Sequence, residues 1–598
     1  MSRGWGPAGG EIASGKGKRK QGLRRLGQLG TYVVPYRRRL IGAIIAMFGV
    51  LACTLALPLL MKTAIDSAII PRDTRLLVFI AGCVIAIGIV GIALSRVETY
   101  LTGWVGERVL NDLRVDLFQH MQSLSMGYFE KQRTGILISR LTNDVEALQQ
   151  LVTDGITSTV RNVLTLVVAG GILLFLDFRL ALATIIVFPL MAGLTFVFRG
   201  QSARAYSQMR SRLALVTAAL QEDLNGIRVI QAYRRESGSQ AQIAQLNENY
   251  REANRTTVTS SGWYFPTVEF LAAVATCIVF GYGGYLYVNN TIEIGVLVAF
   301  IGYLASFFDP VQQLSQVYNT FLAGTAALDK IFDVMDDAPT LVDAPDAIAL
   351  PAIAGAVRFE HVRFGYDAER PVIDGLDLDV KAGQTVALVG HTGAGKSTII
   401  KLLARFYDPQ SGRITIDGHD LRAVTTASLR DQIAIVPQEG FLFNGTIHEN
   451  IAFGQPSATR AQVETAAREV GADRFIEQLP RGYDEPVQER GGRLSIGQRQ
   501  LIAFARALLV DPRLLILDEA TSSVDIQTEA HIEVALTRLL ADRTAFVVAH
   551  RLSTIRNADL IVVLEHGKVI EAGSHEELLE RGGRYRGLYG DWAEAISR

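Results

Sequence analysis

Gly390-His391-Thr392-Gly393-Ala394-Gly395-Lys396-Ser397, followed by Thr398, keeps the spacing G-x-x-x-x-G-K-[ST]. That spacing suits phosphate chemistry. The glycines let backbone N–H groups close around a phosphate, Lys396 adds a point charge for β- and γ-phosphates, and Ser397 offers a hydroxyl to Mg²⁺. Residues 385–389 read as a strand and 398–404 open a helix, whose N-terminus favours an anion. Downstream, residues 514–517 read as a buried strand ending in Asp518 and Glu519. Asp518 suits Mg²⁺ ligation, directly or through water, and Glu519 suits a general base acting on an attacking water. Alone, two such carboxylates are more often a solvated acidic turn. Downstream of a phosphate loop they point to hydrolysis of a nucleoside triphosphate.

Between these two motifs lies Leu494-Ser495-Ile496-Gly497-Gln498, leading into a helix over 501–509. Here residues 355–598 resemble an ATP-binding-cassette protein, whose signature is L-S-G-G-Q. The resemblance implies ATP and Mg²⁺ as ligands and assigns further roles. Tyr366 in Phe364-Gly365-Tyr366 corresponds to the aromatic that stacks on adenine. Gln438 in Val436-Pro437-Gln438 corresponds to the glutamine that senses Mg²⁺ and contacts the membrane domain. Asp525 corresponds to the aspartate that faces the dimer partner, and His550 to the histidine that contacts the γ-phosphate. In this superfamily two cassettes enclose two ATP molecules head to tail, each site joining one chain's phosphate loop to the other's signature. The departure is Ile496, where the family usually has glycine. A β-branched side chain there threatens to crowd a phosphate or twist the loop. The catalytic set is otherwise complete, so a heterodimer is expected, with a partner that carries a full signature.

The elements that position these groups differ sharply between the halves of the 598-residue chain. Charged residues make up 20%, below the roughly 25% of soluble domains. Six apolar runs, 40–60, 76–95, 160–176, 180–198, 265–288 and 294–308, fill the first half. A bilayer core of about 30 Å needs roughly 20 helical residues, so six membrane spans are expected. Two long connections, 96–159 and 199–264, read as helical extensions broken at Ser125-Met126-Gly127-Tyr128 and at Asn225-Gly226. Arg199, Arg204, Arg210, Arg212, Arg228, Arg234 and Arg235 crowd the second connection, which places it on the cytoplasmic side. A short helix over 23–36, lying on the inner face, is an even alternative to a plain connection. After 355, short Val/Ile-rich strands alternate with helices, an α/β pattern. Cys53, Cys83 and Cys277 lie in apolar runs, too scattered for a disulfide or zinc framework. With 59 basic against 60 acidic residues, nothing favours nucleic acid as a partner.

The membrane half resembles the exporters of the same superfamily, those similar to multidrug and lipid-flipping pumps. The segment 128–135 resembles their first coupling segment and 226–233 their second. The expected organisation is a basic tail over 1–22, a transmembrane domain over 23–335, a linker over 336–354 and an α/β P-loop nucleotide-binding domain over 355–598. The expected activity is ATP-driven export or flipping of a hydrophobic or amphipathic molecule or lipid by one half of a dimeric transporter. A bacterial inner membrane, with the N-terminus and the nucleotide-binding domain cytoplasmic, is the expected location. An importer built on the exporter fold, a homodimeric exporter and an ATP-gated channel are the alternatives. A cassette ATPase acting on DNA or the ribosome is disfavoured by the spans. Glu269, three residues after Pro266 in the fifth run, is expected to face the translocation cavity, because an ionised carboxylate facing lipid is costly. A structural pairing of Glu269 is the even alternative.

Overall fold

The computed structural model describes residue 25 and residues 27–597, apart from 368, 439, 489–490, 519–525 and 550; for 315, 316, 318, 319, 526–528 and 592–597 it gives the backbone alone. The chain divides into two compact units, one reaching to Gln122 and resuming over Thr134–Asp337, the other comprising Ser123–Arg133 and the chain from Ala338 onward.

The first unit is helical. Its main helices are α1 (Arg37–Thr63), α2 (Thr74–Ser123), α4 (Thr157–Leu176), α5 (Val187–Asn225), α7 (Glu236–Val288) and α8 (Ile294–Met335). Two short helices mark the tips of the long connections: α3 (Met126–Lys131), which belongs to the second unit, and α6 (Ile227–Ala232). Among the described residues, six helices are long and apolar enough to cross a membrane, as the apolar runs predict. Lipid offers no partner to a backbone N–H, so the helix is the form that satisfies these segments. The 50 residues of α2 extend ~75 Å at 1.5 Å each, more than twice the hydrocarbon thickness. The rest of its length forms the extension expected beyond the bilayer. Large apolar side chains such as Phe175, 94% exposed, suit a surface that meets acyl chains.

Inside this unit, Tyr264 of α7 stacks on Phe198 of α5 at 3.9 Å between centroids, and its hydroxyl lies 3.1 Å from Thr195 Oγ1. Glu98 of α2 is buried and pairs with Arg161 of α4. The chain breaks where the sequence predicts. Ser125 is extended before α3, and Gly226 leaves helical geometry after α5. The stretches Arg140–Asp144 and Gln150–Ile156 are wound as π-helix, a feature the sequence pattern does not signal. At the start of the described chain, residues 27–33 are helical and lead through a 3₁₀ turn at Val34–Tyr36 into α1.

The second unit is the α/β pattern made solid. Its strands are β1 (Val357–Phe364), β2 (Ile373–Val380), β3 (Thr385–Val389), β4 (Ser411–Ile416), β5 (His419–Asp420), β6 (Ile433–Val436), β7 (Leu514–Asp518), β8 (Thr544–Val548), β9 (Leu560–Glu565) and β10 (Lys568–Gly573). One sheet has the order β2-β1-β4-β5, the other β10-β9-β3-β8-β7-β6. In the larger sheet β9, β3, β8, β7 and β6 run parallel. Parallel strands are covered on both faces, which is why β8 is buried at all five positions and why its sequence is continuously apolar. Helix α9 (Lys396–Leu403) follows β3, and helix α10 (Ile496–Leu509) precedes β7.

The segment leading into β1 is bound to this unit by carboxylates. Asp343 accepts from the Thr426 backbone N–H at 3.0 Å and from buried Arg405 at 3.2 Å. Asp417 accepts from the backbone N–H groups of Ala354, Gly355 and Ala356 at 2.5, 3.1 and 2.8 Å. Asp417→Ala removes both carboxylate oxygens and with them all three bonds. Hydrogen bonds to a charged group contribute ~1.5–3 kcal/mol each when buried, less where solvent reaches them. We expect the second unit to lose about 2–4 kcal/mol, read as a lowered unfolding midpoint of the purified full chain. An unchanged midpoint would show that these bonds are replaced by water without cost.

Candidate nucleotide site

The phosphate loop leaves the C-terminal end of β3 and enters α9. Two of its glycines are required by geometry. Gly390 has φ +150°, and a Cβ there would lie 2.3 Å from the Leu564 carbonyl oxygen; Gly395 has φ +105° and would meet Ile373 Cδ1 at 2.6 Å. Only glycine adopts those angles without strain, and they bring the loop back onto the first turn of α9. In that turn the Thr398 and Ile399 N–H groups donate back to the Gly395 carbonyl at 3.1 Å each, and the N–H groups ahead of them at the helix start form the cradle expected for a phosphate. Lys396 is buried, and its Nζ donates to the Gly390 and His391 carbonyls at 2.7 and 3.1 Å. Burial pulls its amine below the ordinary lysine value, against the attraction of Asp518. An incoming phosphate would oppose that shift. The cradle and the lysine fit a triphosphate.

Asp518 ends β7, separated from β3 by β8 alone. Gln438 stands two residues beyond the end of β6, on the far side of β7. The phosphate loop, Asp518 and Gln438 therefore share the C-terminal edge of one parallel sheet, where open α/β sheets bind their ligands. Ser397 is exposed and Thr398 buried on the first turn of α9. Tyr366 lies just past β1, on the smaller sheet, 39% exposed, with its hydroxyl 3.2 Å from Thr398 Oγ1. Glu519, Asp525 and His550 lie outside the described residues.

The signature segment opens α10. Ser495 is its N-cap: the hydroxyl accepts from the Gln498 N–H at 3.2 Å, and Gln498 Oε1 accepts from the Ser495 N–H at 2.9 Å. This reciprocal pair is a capping box. Ile496 leaves it intact. Its side chain is 44% exposed, Gly497 behind it is buried, and the preceding Leu494 carbonyl accepts from Arg499 at 2.9 Å. The capping box forms with isoleucine at this position, and the Ile496 side chain is part of the surface at the helix start.

Three residues near this site were given no role by their sequence spacing. Glu130 of α3 meets Lys401 of α9 at 2.7 Å and Tyr407 at 2.6 Å. The partners are separated by more than 270 residues, so no local pattern signals them. In the first unit, a cavity of about 670 Å³ is lined by Phe188, Phe196, Phe198, Phe307, Thr195 and Arg199 among others. That volume lies within the range of small-molecule sites, which are mostly apolar with a few polar groups. Glu269 is exposed on α7 and does not line this cavity.

Comparison with known proteins agrees with both halves. Residues 40–311 match the ABC transporter transmembrane region, and 373–522 match the ABC transporter family. The chain is 40% identical over 561 residues to YknV of Bacillus subtilis, an uncharacterized ABC transporter ATP-binding protein, covering 93% of each chain. It is 38% identical over 555 residues to an ATP-dependent lipid A-core flippase of Syntrophus aciditrophicus, covering 93% of this chain and 92% of that protein. The structure of a bacterial Atm1-family ABC exporter with ATP bound superposes with a TM-score of 0.79 at 32% identity, covering 93% and 98% of the two chains. A helical membrane region fused to a cassette whose phosphate loop, strand-end aspartate and signature helix stand in family order makes this chain a member of the ABC transporters, of the exporter type.

Proposed function

We propose that this ATP-hydrolysing membrane transporter exports or flips a hydrophobic or amphipathic small molecule or lipid, working as one half of a dimer. The observation that supports it most is the shared sheet edge bearing the phosphate loop and Asp518, on the same polypeptide as six membrane-length helices. The aromatic cavity with Arg199 at its lining suits an amphipathic cargo, and one relative is named for flipping a lipid. The arginines of the second long connection support an inner-membrane orientation with the cassette cytoplasmic.

The chain's own groups divide the work. Tyr366 stacks the base, the glycine loop and Lys396 hold the phosphates, and Glu519 takes the proton of the attacking water. Ser397, Asp518 and Gln438 would hold Mg²⁺, which when bound spreads the charge developing on the phosphates. Gln438 also contacts the membrane domain, His550 contacts the γ-phosphate, and Asp525 faces the second cassette. Residues 494–498 serve the nucleotide held by that partner. ATP favours the closed dimer because only that state completes both sites.

Glu519→Gln keeps size and polarity and removes the base. Turnover should fall by roughly 10²–10⁴ while ATP still binds, giving a closed, ATP-loaded dimer. Near-normal turnover would remove Glu519 from the role of base.

The exposed Ile496 at the start of α10 favours a heterodimer whose other half carries a glycine signature. The chain purified alone should then hydrolyse ATP slowly and without response to cargo, and native mass analysis of the membrane should show a second cassette protein. Full cargo-stimulated activity from the lone chain would establish a homodimer.

Glu269, exposed on α7, is proposed to face the translocation cavity that the second subunit completes. Glu269→Gln should weaken transport of cationic cargo more than neutral cargo. Equal loss for both, with a lowered melting temperature, would mark the residue as structural.

A further inference from the structure

The tip of the first long connection is fastened beside the base-stacking tyrosine. Glu130 accepts from Lys401 Nζ at 2.7 Å through one carboxylate oxygen and from the Tyr407 hydroxyl at 2.6 Å through the other. Both donors touch Tyr366. Lys401 Nζ stands 5.3 Å from the centroid of the Tyr366 ring, and the Tyr407 ring meets it edge-on at 5.4 Å and 86°. Phe364 completes the cluster at 5.2 Å from each tyrosine. The backbone of α3 approaches the same place: a Cβ on Gly127 would come within 3.0 Å of Tyr407 Cε1. Tyr366 is thus braced on several sides, yet it stays 39% exposed, leaving surface for a planar ligand.

The charges reinforce the geometry. Burial resists ionisation of Glu130, but the hydrogen bonds from Lys401 and Tyr407 outweigh it and hold the carboxyl below its ordinary value. Burial likewise opposes charge on Lys401, and the bond to Glu130 prevails, raising the amine. Burial and the Glu130 carboxylate both push the Tyr407 phenol upward. Near neutral pH the cluster is therefore a carboxylate, an ammonium and a neutral phenol. The Lys401 ammonium is also attracted to the face of the Tyr366 ring, which helps fix the ring's orientation.

We propose that Glu130 is a positioning residue for the nucleotide base: by ordering Lys401 and Tyr407 it holds the Tyr366 ring in its stacking position, so a carboxylate on the coupling segment sets how tightly the adenine is bound. This rests on Tyr366 being the adenine platform. By linkage, whatever Glu130 adds to ATP affinity returns as an ATP-dependent restraint on α3. A purely structural role, gluing α3 to its unit, would make no distinction between ligands with and without a base.

The test measures dissociation constants of MgATP and of magnesium tripolyphosphate, which has no base, for the full chain in lipid nanodiscs. Glu130→Gln and Tyr407→Phe should each raise the MgATP constant about three- to tenfold and leave tripolyphosphate unchanged. The double variant should be no worse than the stronger single one, because both act through the same ring. Equal weakening of both ligands, or an unchanged MgATP constant, overturns the proposal. Tyr366→Ala separates the two assignments. It should erase the advantage of ATP over tripolyphosphate; if that advantage survives, Tyr366 is not the platform and the role of Glu130 falls with it. If Tyr366→Ala behaves as expected and the Glu130 and Tyr407 variants do not, the role of Glu130 alone is wrong. Should Glu130→Gln fail to fold, Tyr407→Phe removes only one hydroxyl and carries the same expectation.

Discussion

One carboxylate, on Glu130, accepts from an ammonium and a phenol, and those bonds fasten α3 to the helix that begins at the phosphate loop and to the segment just after it. The tie matters because of what the bilayer imposes on the rest of the chain. In lipid the backbone must satisfy itself, so the spans are helices, and helices continued past the hydrocarbon are stiff over the whole of their length. Of the two tips, α3 clusters with the cassette unit and α6 with the helical unit.

At the other end of that tie, the nucleotide site is built from backbone more than from side chains. Gly390 and Gly395 sit at angles closed to other residues, and their reward is a loop whose N–H groups converge at the start of α9. The parallel sheet then sets the spacing of the rest, since the phosphate loop, Asp518 and Gln438 each follow the C-terminal end of a strand in a fixed order. Tyr366 is supplied by the second, antiparallel sheet. The site therefore depends on how two sheets of the same unit are packed, and a shift of Tyr366 is a means of altering affinity without touching the phosphates.

What the sequence makes legible is what is local. The glycine loop and the strand ending in Asp518 are each written in fewer than ten consecutive residues and lie where their spacing predicts, while the signature helix opens at Ile496, ahead of the 501–509 that the sequence suggests. The six spans are legible because lipid demands unbroken apolar runs. The Glu130 cluster is not, since its members are far apart in the chain and none is unusual by itself. The attachment of 343–356 to the second unit is hidden for the same reason: it depends on Asp417 and Arg405, which no pattern connects to the linker. The π-wound stretches along 140–156 leave no mark in composition. Ile496 shows the limit of reading a motif by its letters. The consensus is broken, yet the capping box that shapes the helix start survives, because it needs Ser495 and Gln498 and not the residue between them.

The central claim is that ATP hydrolysis at this sheet edge drives movement of an amphiphile through the membrane unit. It is tested most directly by counting both in one preparation. The transporter, with its partner if it has one, is reconstituted in proteoliposomes, and released phosphate and the transbilayer movement of a fluorescent lipid are followed together. The account predicts movement in one direction, in constant proportion to ATP hydrolysed as turnover is varied, and none when ATP is withheld. Steady hydrolysis with no vectorial movement of any amphiphile, or movement that continues down its gradient without hydrolysis, would contradict it.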